Sequence, residues 1–304
     1  MLNVANIFVI IVTYKGHQWY ERCFTSLRQS EVPVQTVVID NASNDGTVEY
    51  IREHFPEVHL IESKENLGFG RANNIGMRYA LDHGCDYVFL LNQDAWIEPN
   101  SIKELVRIHH ENPEYGILSP MHINAEKNHF NILFDDGDRN YNIVSDFYFG
   151  IKKEVYKVKY VNAAAWLLPR TTLEVIGGFD PIFKHYEEDD DYLNRLQYHK
   201  INVGLCANII IVHDHTTFGN ISNFQQTRRE QYLLLDLLNL NKPLRVKSYL
   251  RYLVRKMVVS LLMCKIEQFH QYLKDYRFVV SKKDMIVKSR NTNALKAANW
   301  LCPD

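Results

Sequence analysis

The sequence predicts an α/β fold that begins with parallel strands, and three observations support this prediction. Apolar runs lie at 7–12, 34–39 and 87–91, and they are rich in Val and Ile or in aromatic residues. A helical pattern follows each of the first two runs. Each run also stops abruptly at polar residues. Buried parallel strands joined by crossover helices have this pattern.

The elements follow one another in a β-α-β-α-β-α-β order. Helices are predicted at 17–28, 47–54, 71–83 and 102–110, with a short strand at 58–61. Turn residues precede two of these helices, namely Ser43-Asn44-Asp45-Gly46 and Pro99-Asn100-Ser101. From 124 to 150 the pattern loosens into polar and aromatic residues, which is consistent with a hairpin or lid. After about residue 220, long helical patterns at 228–240 and 248–276 predict a C-terminal helical appendage.

Composition and charge narrow the class of protein. The chain has 304 residues, 46% apolar and 23% charged, which is ordinary for one large globular domain or two small ones. A net charge of −1 gives no overall attraction to nucleic acid, so no nucleic-acid partner is expected. The segment 242–290, however, holds thirteen Lys or Arg and three acids, a net charge of about +10. Three interpretations stay open for it: an anionic membrane surface, a homodimer contact, or a solvated basic helix pair packed on the acidic half.

Targeting signals and cysteine usage suggest a location. Residues 1–6 carry no basic region or cleavage site, and no apolar run approaches the roughly 20 residues that span a bilayer. The five cysteines are scattered and never form a C-x-x-C pair. We therefore expect a reduced, cytoplasmic protein, either free or peripheral at the inner face of the cell membrane.

The polar residues that end the three runs predict a ligand site. They are Thr13-Tyr14, Asp40-Asn41 and Asn92-Gln93-Asp94. In open α/β sheets the ligand lies beyond the carboxyl ends of the strands, so these side chains should converge on one crevice.

Six motifs, in order over roughly residues 5–218, resemble family 2 glycosyltransferases. Those similar to the nucleotide-sugar half are Val9-Ile10-Ile11-Val12-Thr13-Tyr14, Val38-Ile39-Asp40-Asn41-Ala42-Ser43-Asn44-Asp45-Gly46-Thr47, Asn66-Leu67-Gly68-Phe69-Gly70-Arg71-Ala72-Asn73-Asn74 and Leu91-Asn92-Gln93-Asp94-Ala95. Those similar to the acceptor half are Gly177-Gly178-Phe179-Asp180-Pro181 and Glu188-Asp189-Asp190-Asp191-Tyr192, followed by His213. The resemblance implies a GT-A fold, a Rossmann-like mixed sheet that binds nucleotide-diphospho-sugars. It divides the chain into a catalytic domain at 1–220, with halves at 1–98 and 99–220, and a helical region at 221–304.

The resemblance also implies how the donor is held. Residues at the positions of Thr13, Tyr14, Asp40 and Asn41 contact the nucleotide in that family, although Asp40 could instead cap a turn with Ser43 and Asn44. In the loop with Asn66 and Gly68, the glycines would let the backbone approach the nucleotide, with Arg71 near the diphosphate; alternatively they only make a tight turn. Asn73 stands where a dinucleotide fingerprint has its third glycine, so NAD binding is disfavoured.

A divalent cation, Mg²⁺ or Mn²⁺, is implied by the third strand end. Asn92-Gln93-Asp94 occupies the position of the family's D-x-D motif, so Asp94 would bind the cation and Asn92 would contact ribose. Because the first acid is an amide here, we expect the cation to be shared with substrate phosphates. His213 is a candidate further ligand, with His215 as its competitor.

An acidic run at 187–191 supplies the candidate catalytic residues. By resemblance, Asp189 matches the general base, and Glu188 and Asp191 would orient it or bind acceptor hydroxyls. The alternative is that these acids only favour the start of a helix through its dipole.

These inferences together predict an inverting transferase. It would move a sugar from a nucleotide-diphosphate sugar, UDP- or dTDP-linked, to a hydroxyl of a glycan or lipid-linked acceptor. Similar proteins, rhamnosyltransferases among them, serve surface-polysaccharide synthesis, an analogy only. Two alternatives remain: a catalytically silent sugar-nucleotide-binding or scaffold protein, and, with less support, a sugar nucleotidyltransferase, which should carry a glycine-rich triphosphate loop after the first strand.

Overall fold

The computed structural model describes residues 5–130, 141–151, 153–214 and 221–301, except for the side chains of 141, 142, 144 and 221–226. Within these ranges the chain forms nine strands and ten helices. The strands are β1 (Ile7–Thr13), β2 (Gln35–Asp40), β3 (His59–Glu62), β4 (Tyr87–Leu91), β5 (Ala95–Ile97), β6 (Tyr115–Ile123), β7 (Val155–Val158), β8 (Ala165–Pro169) and β9 (Asn202–His213). The helices are α1 (His17–Arg28), α2 (Thr47–His54), α3 (Phe69–Asp82), α4 (Ser101–Glu111), α5 (Tyr141–Tyr148), α6 (Arg170–Val175), α7 (Glu188–Tyr198), α8 (Ile221–Leu238), α9 (Val246–Leu262) and α10 (Ile266–Asn293).

All nine strands belong to one mixed sheet. Its order is β3-β2-β1-β4-β8-β6-β9-β5. β7 pairs with residues 203–206 of β9, whereas β5 pairs with residues 211–213. The first four strands run parallel, as the sequence predicts, and Thr13 lies opposite Asp40. β8 runs antiparallel between β4 and β6, and β5 runs antiparallel to β9. The predicted α/β class with a mixed sheet is therefore confirmed.

The central strands are apolar on both faces because helices cover both faces. Along β1, Phe8 and Ile10 join the core on one side of the sheet. Val9 and Ile11 join the core on the other side, together with Tyr20 and Phe24 of α1. A strand buried on both faces reads as a continuous apolar run rather than an alternating one.

Two predicted segments differ from the structure. The helix expected at 248–276 is two helices, because Cys264 adopts φ 55° and turns the chain back between α9 and α10. The stretch 124–150 has an antiparallel bridge between Ile123 and Phe130, but its aromatic end forms helix α5 rather than a hairpin. The remainder of that stretch, 131–140, lies outside the described residues.

The C-terminal helices pack against the loop that precedes α7. Asp180 in this loop accepts hydrogen bonds from Ser289 Oγ (3.2 Å) and Asn293 Nδ2 (2.8 Å) of α10. Beyond α10, the carbonyl of Asn299 accepts a hydrogen bond from Gly178 N at 2.8 Å. The helical region is thus bonded into the fold at the 177–183 loop. In the described ranges, no helix is both long enough and apolar enough to cross a bilayer.

Candidate active site

The ends of β1 and β2 form a buried polar pair. Asp40 Oδ1 accepts a hydrogen bond from Thr13 Oγ1 at 3.1 Å, and Oδ2 accepts one from Ser43 N at 2.9 Å. Both side chains are almost fully buried. Asp40 therefore caps the turn after β2, which was one of the two interpretations of this residue. A contact with a base through its remaining lone pairs stays a prediction.

Asn41 joins the end of β2 to the loop after β3. Its Oδ1 accepts from Leu67 N at 2.8 Å, and its Nδ2 donates to the carbonyl of Gly68 at 3.3 Å. Asn66 Oδ1 accepts from Gly68 N at 2.9 Å within the same loop. Both ends of the Asn41 amide are engaged in shaping this loop, and a direct nucleotide contact by Asn41 stays a prediction.

The same loop touches the segment before α7, which sequence patterns did not indicate. Gly68 has φ +83°, and a Cβ there would lie 2.1 Å from the carbonyl oxygen of Lys184. Arg71 donates two hydrogen bonds to the carbonyl of Pro181, at 3.1 and 2.7 Å. Glycine is thus required at 68 for contact between the two halves of the chain. The guanidinium of Arg71 likewise binds the segment before α7, through the carbonyl of Pro181. A position of Arg71 near a diphosphate stays a prediction.

Gln93 holds the backbone of Tyr14 and was missed as a site residue. Its Oε1 accepts from Tyr14 N at 2.8 Å, and its Nε2 donates to Tyr14 O at 3.2 Å. The Tyr14 ring is 41% exposed, so it is available to a ligand. The sequence contained a signal for this role, because Gln93 follows the end of β4 and its side-chain amide can hydrogen-bond to backbone at the end of a neighbouring strand.

Asp94 and His213 meet at the end of β9. Asp94 Oδ1 lies 3.4 Å from His213 Nε2, and β5 pairs with β9 so that Ala95 faces His213. Asn92 Nδ2 lies 3.5 Å from the same Nε2. Asn92 Oδ1 is buried and makes no hydrogen bond with the described residues. The sequence-predicted residues Asn92, Asp94 and His213 are therefore brought together, whereas His215 lies outside the described residues.

The donor atoms of this cluster fit a divalent cation that is completed by a substrate. Neighbouring ligands of one octahedral cation lie about 3 Å apart, close to the separation of Asp94 Oδ1 and His213 Nε2. The unpartnered Asn92 Oδ1 is a further oxygen donor beside them. Among the residues described, no group of three or more His, Cys, Asp or Glu side chains could hold a metal alone. The chain thus offers a partial ligand set, as expected for a cation that also binds phosphates.

A second histidine lies behind His213 and was also missed. The His122 ring on β6 lies 5.9 Å from the His213 ring, edge to face. Burial, with His213 as a further cause, lowers the pKa of His122 to about 3, so its imidazole is neutral. It is buried beside Ser119 Oγ, 3.4 Å from its Nε2. His122 therefore packs against His213 without adding charge.

Two acids at the start of α7 have distinct environments. Glu188 is buried, and burial together with the neighbouring Asp189 raises its pKa to about 8. Its Oε2 has no hydrogen-bond partner in the described part of the chain. Asp189 is half-buried and accepts from Asp190 N at 3.0 Å and Tyr160 OH at 3.4 Å. Burial also raises the pKa of Asp189. Because the pKa of Glu188 is about 8, Glu188 holds a proton at neutral pH.

Asp191 has a different environment from its neighbours. It forms an ion pair with Arg195 at 2.9 Å, and both side chains are 2% exposed. The guanidinium of Arg195 also donates to the carbonyls of Ile176 (3.1 Å) and Gly178 (2.9 Å). Arg195, paired with Asp191 on the same helix, thus fastens α7 to the loop before it. The prediction that Asp191 binds acceptor hydroxyls has no support from these contacts.

The segment before β8 connects the cluster of Asn92, Asp94 and His213 to the acids. Asn92 N donates to the carbonyl of Ala164 at 2.9 Å. Tyr160, four residues earlier in the same segment, donates its hydroxyl to Asp189 Oδ2 at 3.4 Å. Asn92 and Asp189 are therefore hydrogen-bonded to one short segment, although they are almost a hundred positions apart in the chain.

Backbone strain is concentrated around this crevice. Within the described residues, eight non-glycine residues have positive φ, and four of them are Lys15, Ala42, Tyr186 and Glu187. The first two follow the ends of β1 and β2, and the other two directly precede α7. Such conformations cost on the order of 1–3 kcal/mol each and cluster at functional sites.

Known proteins with a similar sequence are sugar transferases. A family model described as glycosyl transferase family 2 matches residues 8–174. The chain is 27% identical over 240 residues to a low-salt glycan biosynthesis hexosyltransferase of Haloferax volcanii, covering 75% of each protein. It is 26% identical over 219 residues to a dTDP-rhamnosyl transferase of Shigella flexneri, covering 69% of each. It is 27% identical over 212 residues to an N-acetylglucosaminyl-diphospho-decaprenol L-rhamnosyltransferase of Mycobacterium tuberculosis, covering 62% of this chain and 69% of that one.

Solved structures show the same fold. GalNAc-T7 with UDP, GalNAc and Mn²⁺ matches with a TM-score of 0.59 at 16% identity, over 77% of this chain and 48% of that one. Residues 1–349 of Staphylococcus aureus TarS in complex with UDP-GlcNAc match with a TM-score of 0.56 at 13% identity, over 95% and 90%. The predicted GT-A fold is confirmed.

Proposed function

The chain belongs to glycosyl transferase family 2, and from this premise we propose that it is an inverting glycosyltransferase that moves a sugar from a nucleotide-diphosphate sugar to a hydroxyl. The observation that carries this proposal is that Asn92 and Asp189 are both hydrogen-bonded to the short segment before β8, at Ala164 and Tyr160. Asn92 belongs to the cluster that fits a cation, and Asp189 is a half-buried carboxylate. The reaction needs a cation near the leaving group and a carboxylate near the attacking hydroxyl, on opposite sides of one sugar.

Asp189 is the proposed general base. A base must be ionised while its surroundings raise its proton affinity, and burial raises the pKa of Asp189. Glu188, with a pKa of about 8, keeps a proton and can donate a hydrogen bond to an acceptor oxygen. Neighbouring carboxyl groups in different environments, as Glu188 and Asp189 are, are a usual arrangement for acid–base chemistry.

Asp94 and His213 are the proposed protein ligands of Mg²⁺ or Mn²⁺, with Asn92 Oδ1 beside them. When bound, the cation would supply positive charge for the departing nucleotide diphosphate. The chain provides few ligands of its own, so Asp94 and His213 would hold the cation together with donor phosphates. A solved relative in fold binds UDP and Mn²⁺, which supports a divalent cation without choosing the metal.

The donor and acceptor follow from relatives. One is named a dTDP-rhamnosyl transferase, and two solved neighbours bind UDP or UDP-GlcNAc, so we propose a dTDP- or UDP-linked donor at Thr13, Tyr14, Asp40 and Asn41. The names of two other relatives, one for glycan biosynthesis and one for N-acetylglucosaminyl-diphospho-decaprenol, support a glycan or lipid-linked acceptor. We place the reaction in cell-surface polysaccharide synthesis, at the cytoplasmic side.

The experiment measures donor binding and transfer in Asp189→Asn. Transfer is expected to fall at least a hundredfold because the base is lost, while the thermal shift given by the best UDP- or dTDP-sugar with Mn²⁺ stays within error. Asp190→Asn, one residue away, is the control and should keep transfer within a few-fold. Near-normal transfer by Asp189→Asn would remove Asp189 as the base.

A binding protein without turnover is the second candidate, because Asn92 stands where the family has an acid. It predicts a donor-dependent thermal shift in the unaltered protein with neither transfer nor donor hydrolysis across acceptors. Turnover with any donor would exclude it.

A further inference from the structure

The turn between α9 and α10 exposes several large apolar side chains. Residues 261–268 are all exposed, and Leu262 and Met263 expose 80% and 57% of their surface. We call this surface, with the outward side of α9, the hairpin face; its exposed apolar members are Val254, Val258, Leu261, Leu262, Met263 and Ile266. Large exposed apolar patches commonly mark interaction sites.

Positive charge surrounds the hairpin face. From Arg245 to Gln268 the sequence has six basic residues and one acid, Glu267. They are Arg245, Lys247, Arg251, Arg255, Lys256 and Lys265. None of the six forms an ion pair with any described residue of the chain. Their charge is therefore not neutralised by the fold, although the chain as a whole carries a net charge of −1.

Basic and apolar residues share one side of α9. Lys247, Arg251, Val254, Val258 and Leu262 follow one another at spacings of three or four residues, which places them on a single helix face. The opposite side packs inward through Val246, Leu253 and Ser260. The helix thus presents apolar side chains at its turn and long basic side chains along its outer side.

The hairpin face lies at a distance from the acidic loop. Ser289, which bonds to Asp180, is 23 residues along α10 from Ile266, about 35 Å at 1.5 Å per residue. The outer end of the hairpin can therefore make a contact of its own without covering Asp180 and the acids that follow it.

We propose that the hairpin face is a docking surface for an anionic lipid bilayer. The apolar turn would enter the headgroup boundary while the basic residues contact anionic headgroups. The positive charge of the hairpin face argues against binding of a second copy of this chain. A two-fold contact would bring six basic residues of each chain together against one exposed acid of each, Glu267, and like charges across an interface are unfavourable. The inference goes beyond the proposed reaction and does not depend on it.

The experiment is vesicle sedimentation of the full chain with neutral phosphatidylcholine and with vesicles containing 30% phosphatidylserine, at about 50 and 500 mM salt. We expect binding to the anionic vesicles at low salt and its loss at high salt. The variant Arg251→Gln/Arg255→Gln/Lys265→Gln should bind at least tenfold more weakly, since each basic residue contributes about fivefold. Leu262→Ser/Met263→Ser should also lose binding.

Matched controls distinguish this surface from charge or hydropathy in general. Lys103→Gln/Lys127→Gln/Lys200→Gln removes the same charge from exposed positions of the sheet domain, and Val280→Ser/Met285→Ser removes exposed apolar groups elsewhere on α10. Both should bind like the unaltered chain. No binding to anionic vesicles at low salt, or equal loss in the controls, would overturn the proposal, as would a dimer in sedimentation velocity that Leu262→Ser/Met263→Ser dissociates.

A parallel readout separates this proposal from the proposed function. The thermal shift with donor and Mn²⁺ is measured in every variant and is expected to stay unchanged, since none of the substituted residues lies in the crevice. If the chain binds anionic vesicles but no donor sugar shifts its thermal unfolding, the membrane-docking proposal holds and the transferase proposal is contradicted. If a donor sugar shifts its thermal unfolding but the chain binds no vesicles, the transferase proposal holds and the docking proposal is contradicted.

Discussion

Replacing Asp191 by Asn tests whether this acid is structural or binds the acceptor. The change keeps the size of the side chain and removes only its charge. Arg195 would then remain 2% exposed and charged, held by the carbonyls of Ile176 and Gly178, with buried Asp180 as the nearby acid that is left. Removing one partner of a buried ion pair costs about 3–5 kcal/mol, and because Asp180 remains we expect a loss of unfolding free energy near the lower end of that range.

Asp82→Asn is the matched control. Arg78 and Asp82 are also four residues apart on a helix and 2.7 Å apart, but their side chains are 39% and 50% exposed. Exposed pairs of this kind contribute about 0–1 kcal/mol. The two identical substitutions therefore differ chiefly in burial, and their difference measures the effect of burying the pair.

Urea unfolding gives the two free energies, and thermal unfolding provides a second reading. For a chain of this size a loss of 3–5 kcal/mol lowers Tm by roughly 5–8 °C. If Asp191→Asn does not fold, Asp191→Leu/Arg195→Met should recover part of the stability, because removing both charges leaves no unpaired ion. A loss below about 1 kcal/mol combined with a raised KM for the acceptor would refute the structural role and return Asp191 to acceptor binding.

Two further predictions concern Glu188 and Gly68. The pKa of Glu188 is raised from 4.5 to about 8 on folding, so its contribution to stability is complete below pH 4.5 and is lost as the pH rises to 8. Glu188→Gln should therefore gain stability over the unaltered chain across that window, by on the order of a few kcal/mol, and parallel pH curves in urea unfolding would contradict this. Gly68→Ala should cost about 1–3 kcal/mol more than Gly84→Ala, measured the same way: both have positive φ, but only the first methyl meets an atom, the oxygen of Lys184. Equal losses would show that φ alone decides.

Local pattern was sufficient to predict the N-terminal half. The helices at 17–28 and 47–54 have the predicted bounds, and β3 lies within one residue of its prediction. Apolar runs flanked by turn residues contain this information because each run is buried on both faces. The order in which polar residues end the strands was also enough to predict that Asp94 and Asp40 lie at the same edge of the sheet.

Tertiary partners could not be predicted in this way. Nothing in the sequence around Asn41 indicates that its amide binds the loop at 67–68, because that pairing depends on the crossover of α2. The insertion of β8 beside β4, which brings Ala164 to the crevice, depends likewise on long-range packing. The break at Cys264 lies in an apolar helical pattern without Gly or Pro, so it has no local signal.

The bond between Gly178 and Asn299 has a consequence for the order of events during synthesis. Gly177 has φ +80°, and a Cβ there would lie 2.0 Å from the carbonyl oxygen of Asn299, so the two segments fit directly against each other. Chains emerge from the ribosome N-terminus first and fold as they emerge. β1 to β4 can pair early, but the loop that leads to Glu188 and Asp189 gains its last contacts only after Asn299 has been translated. A nascent chain can thus pair β1 to β4 well before the loop that leads to Glu188 and Asp189 is complete, because that loop must wait for Asn299.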